Sequence, residues 1–393
     1  MRLLTVSGVG HGVAQGTQAS SERKTISPAW GRAREGGSEL YLPRDRRAAQ
    51  RGPAARSPVF YNPAMALSRD LTIAVVAAFA EERGHPLRAW DALSATGVRA
   101  VRLLRETRAM GEILCTELHP EALQLLRANA RDWGGDAMVV EARDARSPPP
   151  QGPFDLVDLD PYGTPAPFLE AALRSLSPGG LLAVTATDMA VLAGPERSAC
   201  ERRYGARPLR TYLCREAGLR ILLGAVRREA LRWGLRADPI LSYAHDYYVR
   251  AFLRILPARG EDPLPLRSIP FEGYEGPPLP SSARGGPLWT GPLCDERFLE
   301  GVKPAGTSAD LQGATRLLEI LREESGVHAL FHYEMGEEAK RLHLSEPPSR
   351  GAVLEALRAS GWKSARTHVT PSGWRTEAPP PEVARILKGL DRR

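Results

Sequence analysis

Between residues 59 and 187, strand-like and helix-like runs alternate, and the early strands end on an acid. Runs 87–91, 112–117, 137–141, 154–158 and 180–187 read as strands, and 65–83, 98–107, 120–132 and 166–175 as the helices between them. Strands alternating with helices at this spacing predict a mostly parallel sheet with helices on both faces. A long helix over about 209–233 follows, then two closely spaced strand-like runs, 239–242 and 248–255, as in an antiparallel pair. The expected fold is α/β, a mostly parallel sheet closed by an antiparallel strand.

The chain has 393 residues, room for two or three domains and a sizeable core. Its 42% hydrophobic and 25% charged content is that of a globular protein and not of a disordered one. Residues 1–32, rich in Gly, Ser, Thr and Gln, read as a flexible extension or as residues upstream of the true start. One domain is expected over 33–256, with a strand at 39–42, and a Pro/Gly-rich linker or subdomain crossing over 257–292. The remainder, 293–393, reads as a smaller α+β domain. There helical runs at 313–323, 337–342 and 350–359 precede strands at 368–369 and 374–376, an order that resembles a winged-helix module.

The longest near-continuous apolar run, 71–80, has ten residues, about half of what a membrane span needs. No charged-then-apolar leader opens the chain, which argues against secretion. Four scattered cysteines without a C-x-x-C pair disfavour a disulfide scaffold and a zinc ribbon, so a reducing, cytoplasmic setting is expected. Residues 1–56 carry ten Lys/Arg against four Asp/Glu, and 196–236 carry eleven Arg against four Glu, while the rest of the chain is net acidic. Basicity gathered in two places suits a polyanion partner, although a basic tail and a solvated Arg-rich helix give the same arithmetic.

In an open α/β sheet the ligand lies beyond the carboxyl ends of the strands. The first turn there, from Asp91 to Gly97, has a single glycine, whereas a dinucleotide site needs G-x-G-x-x-G for the pyrophosphate. A sulfonium cofactor has no pyrophosphate and tolerates such a turn. Glu117, twenty residues after Gly97, is placed to accept from a ribose diol, and Asp144 from an adenine amino group; such acids are also common in plain solvated turns. The fourth strand runs into Asp158-Leu159-Asp160-Pro161-Tyr162-Gly163. An acid, a proline and an aromatic there suit methyl transfer to an exocyclic amine, whose lone pair is delocalised into the base. A carboxylate accepting the amine N–H orients the nitrogen and takes its proton, and an aromatic face stacks on the base for about 1–3 kcal/mol. The competing reading is a tight turn with Tyr162 merely packed. Phe60, before Asn62-Pro63, is either a hydrophobic staple or the second face of a base sandwich. Tyr204, Tyr212 and the run His245-Asp246-Tyr247-Tyr248 are candidate phosphate and base contacts. His328 and His332 have a metal-compatible spacing without a third ligand and read as surface histidines.

Several runs together resemble the tRNA (guanine-N2)-dimethyltransferase family. They are Phe60-Tyr61-Asn62-Pro63, Asp91-Ala92-Leu93-Ser94-Ala95-Thr96-Gly97-Val98-Arg99, Asp158 to Gly163, Thr185-Ala186-Thr187-Asp188, and the longer runs 212–224 and 242–252. The resemblance extends from about residue 34 to the C-terminus. It implies a class I methyltransferase fold and methylation, once or twice, of the amino group of guanosine 26 of tRNA from S-adenosylmethionine. By motif position it implies Asp160 as the catalytic carboxylate and Phe60 and Tyr162 as base-stacking faces, the latter a phenylalanine in some relatives. Arg69 and Arg99 would meet the cofactor's methionine end, Glu117 its ribose, and Asp144 with Ala145 its adenine. Arg215, Arg220, Arg227 and Arg228 on the 209–233 helix would bind RNA beside the C-terminal domain. The target base is expected to be flipped out of its stack. Some members carry a cysteine zinc site in the second domain, where this chain has only Cys294, so no metal is expected. No membrane or protein partner is implied, and a monomer is expected. Action on another position or RNA, and an inactive RNA-binding module of the same fold, are the alternatives.

Overall fold

The computed structural model describes residues 27–44, 59–259 and 265–391. The extension expected at 1–32 therefore lies outside the described residues up to residue 26, while its end is ordered: β1 (Trp30–Glu35) pairs antiparallel with β2 (Ser38–Pro43). Next comes α1 (Ala66–Arg83), entered through a short 3-10 turn whose Asn62 side chain caps the N–H of Ala64 and closed by Gly84 at φ +71°. By length and composition the stretch Pro63–Arg83 could cross a membrane, with mean hydropathy 1.4, but 78% of its most apolar window is buried within the protein. The ten-residue run counted in sequence understates this helix because Ser68, Arg69 and Asp70 interrupt it, and all three are buried.

The α/β alternation follows: β3 (Leu87–Asp91), α2 (Val98–Glu106), β4 (Met110–Glu117), α3 (Pro120–Asn129), β5 (Met138–Ala142), β6 (Phe154–Leu159), α4 (Leu169–Arg174) and β7 (Leu176–Ala186). Two short helices absent from the sequence reading, α5 (Met189–Leu192) and α6 (Arg197–Tyr204), precede α7 (Cys214–Arg232), β8 (Leu235–His245) and β9 (Tyr248–Pro257). The seven strands lie in the order β5-β4-β3-β6-β7-β9-β8. β3 to β7 are mutually parallel, and β9 is inserted antiparallel between β7 and β8. The chain reverses direction across the sheet between β3 and β6, which is where a ligand crevice opens at the carboxyl ends.

The Pro/Gly-rich stretch contains a hairpin, β10 (Leu266–Ile269) with β11 (Gly285–Trp289), packed on α7 where Gly224 leaves room for Leu266 and Trp289. Then come α8 (Glu296–Gly301), α9 (Leu311–Ser325), β12 (Tyr333–Glu334), α10 (Met335–Leu342), α11 (Arg350–Ala359), β13 (Ser364–Arg366), β14 (Gly373–Thr376) and α12 (Pro380–Asp391). The last three strands form an antiparallel sheet, β12-β14-β13, over a core including Val353, Leu357, Trp374 and Leu387. α8 and α9 do not belong to that core: Phe298, Leu299, Leu318 and Leu321 bury with Leu71 and Phe79 of α1.

Charged groups join the two halves. Glu216 of α7 accepts from Arg220 (2.9 Å) and Arg375 (3.0 Å), and its second oxygen lies 2.7 Å from His332 Nδ1. His332 is thus buried, contrary to the surface reading, because it supplies one of the contacts that satisfy a buried carboxylate; His328 stays exposed and does not share its site.

Candidate active site

The turn after β3 depends on Gly97. It sits at φ +73°, and a Cβ there would come within 2.5 Å of Leu126 Cδ1. The turn is tied to the end of β4 by the Ala95 N–H, which donates to Glu117 Oε2 at 3.0 Å. The other oxygen of Glu117 accepts from the N–H groups of Leu118 and His119 (2.7 and 2.8 Å). Asp144, beyond β5, accepts from Arg146 Nε at 2.9 Å, and Ala145 beside it is buried.

Sheet register sets the electrostatics. Asp91 and Asp158 are direct partners across β3 and β6, so two carboxyls stand together at the crevice with Asp160 just beyond. Arg250, brought opposite Thr185 by the β7–β9 register, donates to Asp158 (2.6 Å), Thr185 Oγ1 (2.5 Å) and Thr72 Oγ1 (3.0 Å). Arg99, in the first turn of α2, donates to Thr72 Oγ1 (2.8 Å) and to Asp160. Burial, reinforced by Asp158, pushes the Asp91 carboxyl up to about 7. Burial alone would raise Asp160 too, but Arg99 and then Arg250 outweigh it and hold that carboxyl below its ordinary value.

Arg69 lines the same cleft with Phe60, Asn62, Asp91, Arg99 and Asp160. It is gripped by Glu35 through two hydrogen bonds of 2.6 Å. Glu35 also accepts from Tyr61 Oη (2.7 Å) and Arg102 (3.0 Å). Despite burial, Arg69 and Arg102 bring its carboxyl down to about 2. Sequence reasoning missed Glu35, whose partners lie 26 to 67 positions away and leave no local pattern.

Phe60 and Tyr162 are both exposed, with ring centroids 5.9 Å apart and planes inclined at 58°. Phe60 is therefore not a buried staple; it faces Tyr162 at the mouth, and a base entering between them must part and align the rings. Asn62 Nδ2 donates to Tyr247 Oη at 2.6 Å, joining this segment to the β8–β9 turn. Tyr247 was one of four candidates in its run; the long-range hydrogen bond singles it out. Tyr204 and Tyr212 are not base platforms: Tyr204 is buried and donates to Asp188 at 2.7 Å, and Tyr212 packs against the His332 ring.

The α7 arginines also need correction. Arg220 is buried on Glu216 and on the carbonyls of Trp289 (3.1 Å) and Gly291 (3.0 Å), and Arg227 is buried against Asp238 (3.0 Å). Arg228 donates to the Tyr204 carbonyl and Arg215 to that of Asp246 (3.0 Å). α7 lies between the sheet and the β10–β11 hairpin, so Arg220 and Arg227 are buried on their partners, while Arg215 and Arg228 are partly exposed and each is held by a backbone carbonyl.

A family model described as N2,N2-dimethylguanosine tRNA methyltransferase matches residues 46–261 and 280–388. The chain belongs to this family. It is 37% identical to the tRNA (guanine(26)-N(2))-dimethyltransferase of Thermococcus kodakarensis, over 85% of this chain and 94% of the relative. It is 33% identical to the enzyme of the same name from Methanothermobacter thermautotrophicus, over 86% and 94%. A solved structure of Trm1 from Pyrococcus horikoshii with S-adenosyl-L-methionine superposes with a TM-score of 0.78 at 32% identity, covering 91% of this chain and 99% of that one. The donor set suits such a ligand: Asp91 and Asp160 line the cleft as acceptors for a cationic sulfonium and ammonium, Arg69 and Arg99 line it as donors for a carboxylate, and Glu117 and Asp144 offer acceptors to nucleoside hydroxyls and an amine.

Proposed function

We propose that this chain transfers methyl groups from S-adenosylmethionine to N2 of guanosine 26 in tRNA. The observation that carries the reading is that Asp160, just beyond the carboxyl end of β6, lines one cleft with Arg69, Arg99 and Phe60, the last of which faces Tyr162. Arg69 and Arg99 would hold the methionine end of the cofactor, Glu117 its ribose, and Asp144 with Ala145 its adenine. When bound, the cofactor supplies a methyl group on positively charged sulfur. Asp160 accepts the guanine N–H, turns the nitrogen lone pair toward that methyl, and takes the released proton. A singly methylated nitrogen keeps one N–H, so the same carboxylate serves a second transfer. Phe60 and Tyr162 hold the flipped base, and the Asn62–Tyr247 hydrogen bond fixes the wall beside it. The C-terminal unit, in the order β12-α10-α11-β13-β14-α12, is read as a winged-helix-like module gripping the body of the tRNA. A cytoplasmic location is supported by four cysteines that are all free thiols.

The test is incubation with labelled S-adenosylmethionine and unmodified transcripts carrying guanosine or adenosine at position 26, followed by digestion and nucleoside mass spectrometry. Dimethylguanosine from the guanosine transcript alone is expected. Equal labelling of both would move the target to another position, and no labelling would exclude tRNA as the substrate.

A further inference from the structure

Four arginines line one cavity of about 290 Å³: Arg197 at the start of α6, Arg207 and Arg210 in the segment after it, and Arg284 just before β11. The other lining residues are three prolines, Thr211, Ser282 and Ala283, so no acid lines the cavity. Arg197 is paired along its own helix with Glu201 (2.7 Å), and Arg284 Nη1 donates to the carbonyls of Ser281 and Ala283 (2.8 Å each). The side chains of Arg207 and Arg210 have no acid partner among the described residues.

The walls are fixed. Arg207 exchanges two backbone hydrogen bonds of 2.8 Å with Gly286. A Cβ on Gly285 would lie 2.8 Å from Leu209 Cβ, so the two segments meet without a gap. The cavity is also coupled to the reaction centre. The Thr187 N–H donates to the Gly163 carbonyl (3.0 Å), and the Gly163 N–H to Thr187 Oγ1 (2.8 Å), fastening the turn after Asp160 to the end of β7. The next residue, Asp188, accepts from Tyr204 (2.7 Å) and Arg203 (3.1 Å) of α6. Direct contacts thus run from the Asp160 turn to the helix that leads into Arg207.

Cations gathered around one cavity that no acid lines repel, and an anion among them turns that repulsion into charge-assisted hydrogen bonding. A nucleic-acid backbone presents such anions at regular spacing. We propose that this cavity is a phosphodiester subsite that holds the substrate RNA backbone beside the flipped nucleotide. This rests on the reading of the chain as a tRNA methyltransferase. It moves the RNA-binding arginines from α7, where Arg220 and Arg227 are buried and Arg215 and Arg228 are held by backbone carbonyls, to the α6 segment and the strand facing it.

The test uses the full chain and two variants, Arg207→Gln/Arg210→Gln and, on the opposite wall, Arg284→Gln. Affinity for an unmodified tRNA transcript is measured across a salt series, with cofactor affinity measured calorimetrically without RNA. The double variant is expected to bind tRNA roughly tenfold or more weakly, with the slope of log affinity against log salt shallower by about one for each phosphate no longer neutralised. Unchanged cofactor affinity would show an intact fold. Inorganic phosphate should compete only at concentrations far above those of tRNA; equal competition would make the cavity a site for free phosphate and overturn the assignment. Unchanged tRNA affinity and slope in both variants would overturn it too, even if the wild type methylates guanosine 26. A shallower slope in the variants of a protein that methylates no tRNA would instead sink the reaction and leave the subsite standing.

Discussion

Arg99 Nη2 donates directly to Asp160 Oδ2, while its Nε lies 3.6 Å from Asp158 Oδ2. The guanidinium proposed to meet a cofactor carboxylate is thus already engaged with the proposed proton acceptor. A carboxylate held below its ordinary pKa by such a partner stays ionised but is a weak base, and drawing Arg99 away strengthens it.

This makes the acid limb of the pH–rate profile a reporter of the contact. Asp160 must be ionised to take the proton, so activity is lost as pH falls through its pKa. Arg99→Gln removes the largest influence holding that pKa down, so the acid limb is expected to move to higher pH when turnover is measured at saturating cofactor and tRNA. A limb that stays in place would show that Arg99 does not tune Asp160 in the working enzyme.

The tilted Phe60–Tyr162 pair predicts a graded response. Tyr162→Phe keeps the ring and should preserve turnover, whereas Tyr162→Ala should lower kcat/KM by the worth of one stacked base, about 1–3 kcal/mol or roughly five- to 150-fold. Phe60→Ala should cost a similar amount. Equal loss in Tyr162→Phe and Tyr162→Ala would assign the effect to the hydroxyl and remove the stacking role.

What could be read in the sequence was local. The α/β alternation, the acids at the ends of β3 and β4, and the turn from Asp160 to Gly163 were legible because each is a short pattern carried by one element. The pairing of Asp91 with Asp158, the Arg250–Asp158 contact and the grip of Glu35 on Arg69 depend on register and long-range packing, and no local spacing encodes them. The Arg-rich helix misled for a related reason. Charge counts do not say which face of a helix is buried, and α7 is covered on two sides, so Arg220 and Arg227 became interior partners for Glu216 and Asp238. The cations left to a polyanion lie where α6 ends, in a segment with no periodicity to flag it.

Asp91 should make stability depend on pH in the direction opposite to most carboxylates. Its pKa rises from 3.8 to about 7 on folding, so the folded state keeps a proton that the unfolded chain releases above about pH 4. Its contribution to stability therefore falls as pH rises from about 4 to about 7 and is flat beyond. Asp91→Asn should remove that slope, so that the variant gains on the wild type by up to about 1.4 kcal/mol per pH unit across the window. Urea unfolding at a series of pH values measures this, and a constant difference from pH 4 to 7 would mean that Asp91 is ionised in the fold.

Arg102 gives the strongest stability prediction. It is completely buried and donates to Glu106 (2.8 Å), Glu35 (3.0 Å) and Asp70 (2.5 Å). Asp70 in turn accepts from the N–H groups of Ala309 (3.0 Å) and Asp310 (2.7 Å), and Glu106 from Thr307 Oγ1 (3.1 Å). One guanidinium therefore joins β1, α1, α2 and the loop that enters α9. Arg102→Met fills much the same space but leaves these acids without their shared cation, at a cost of about 3–5 kcal/mol. The loss should shrink on acidification. Glu35 stabilises the fold above its unfolded value of 4.5, and that contribution disappears as pH falls toward about 2; the variant keeps only the share that Arg69 supplies, so the difference between the two narrows as Glu35 is protonated. Denaturant unfolding at pH 7 and pH 3 reads both effects. A loss of only about 0.5 kcal/mol at pH 7, the size of an ordinary surface change, would show that the acids find other partners or protons and that Arg102 does not hold the junction together.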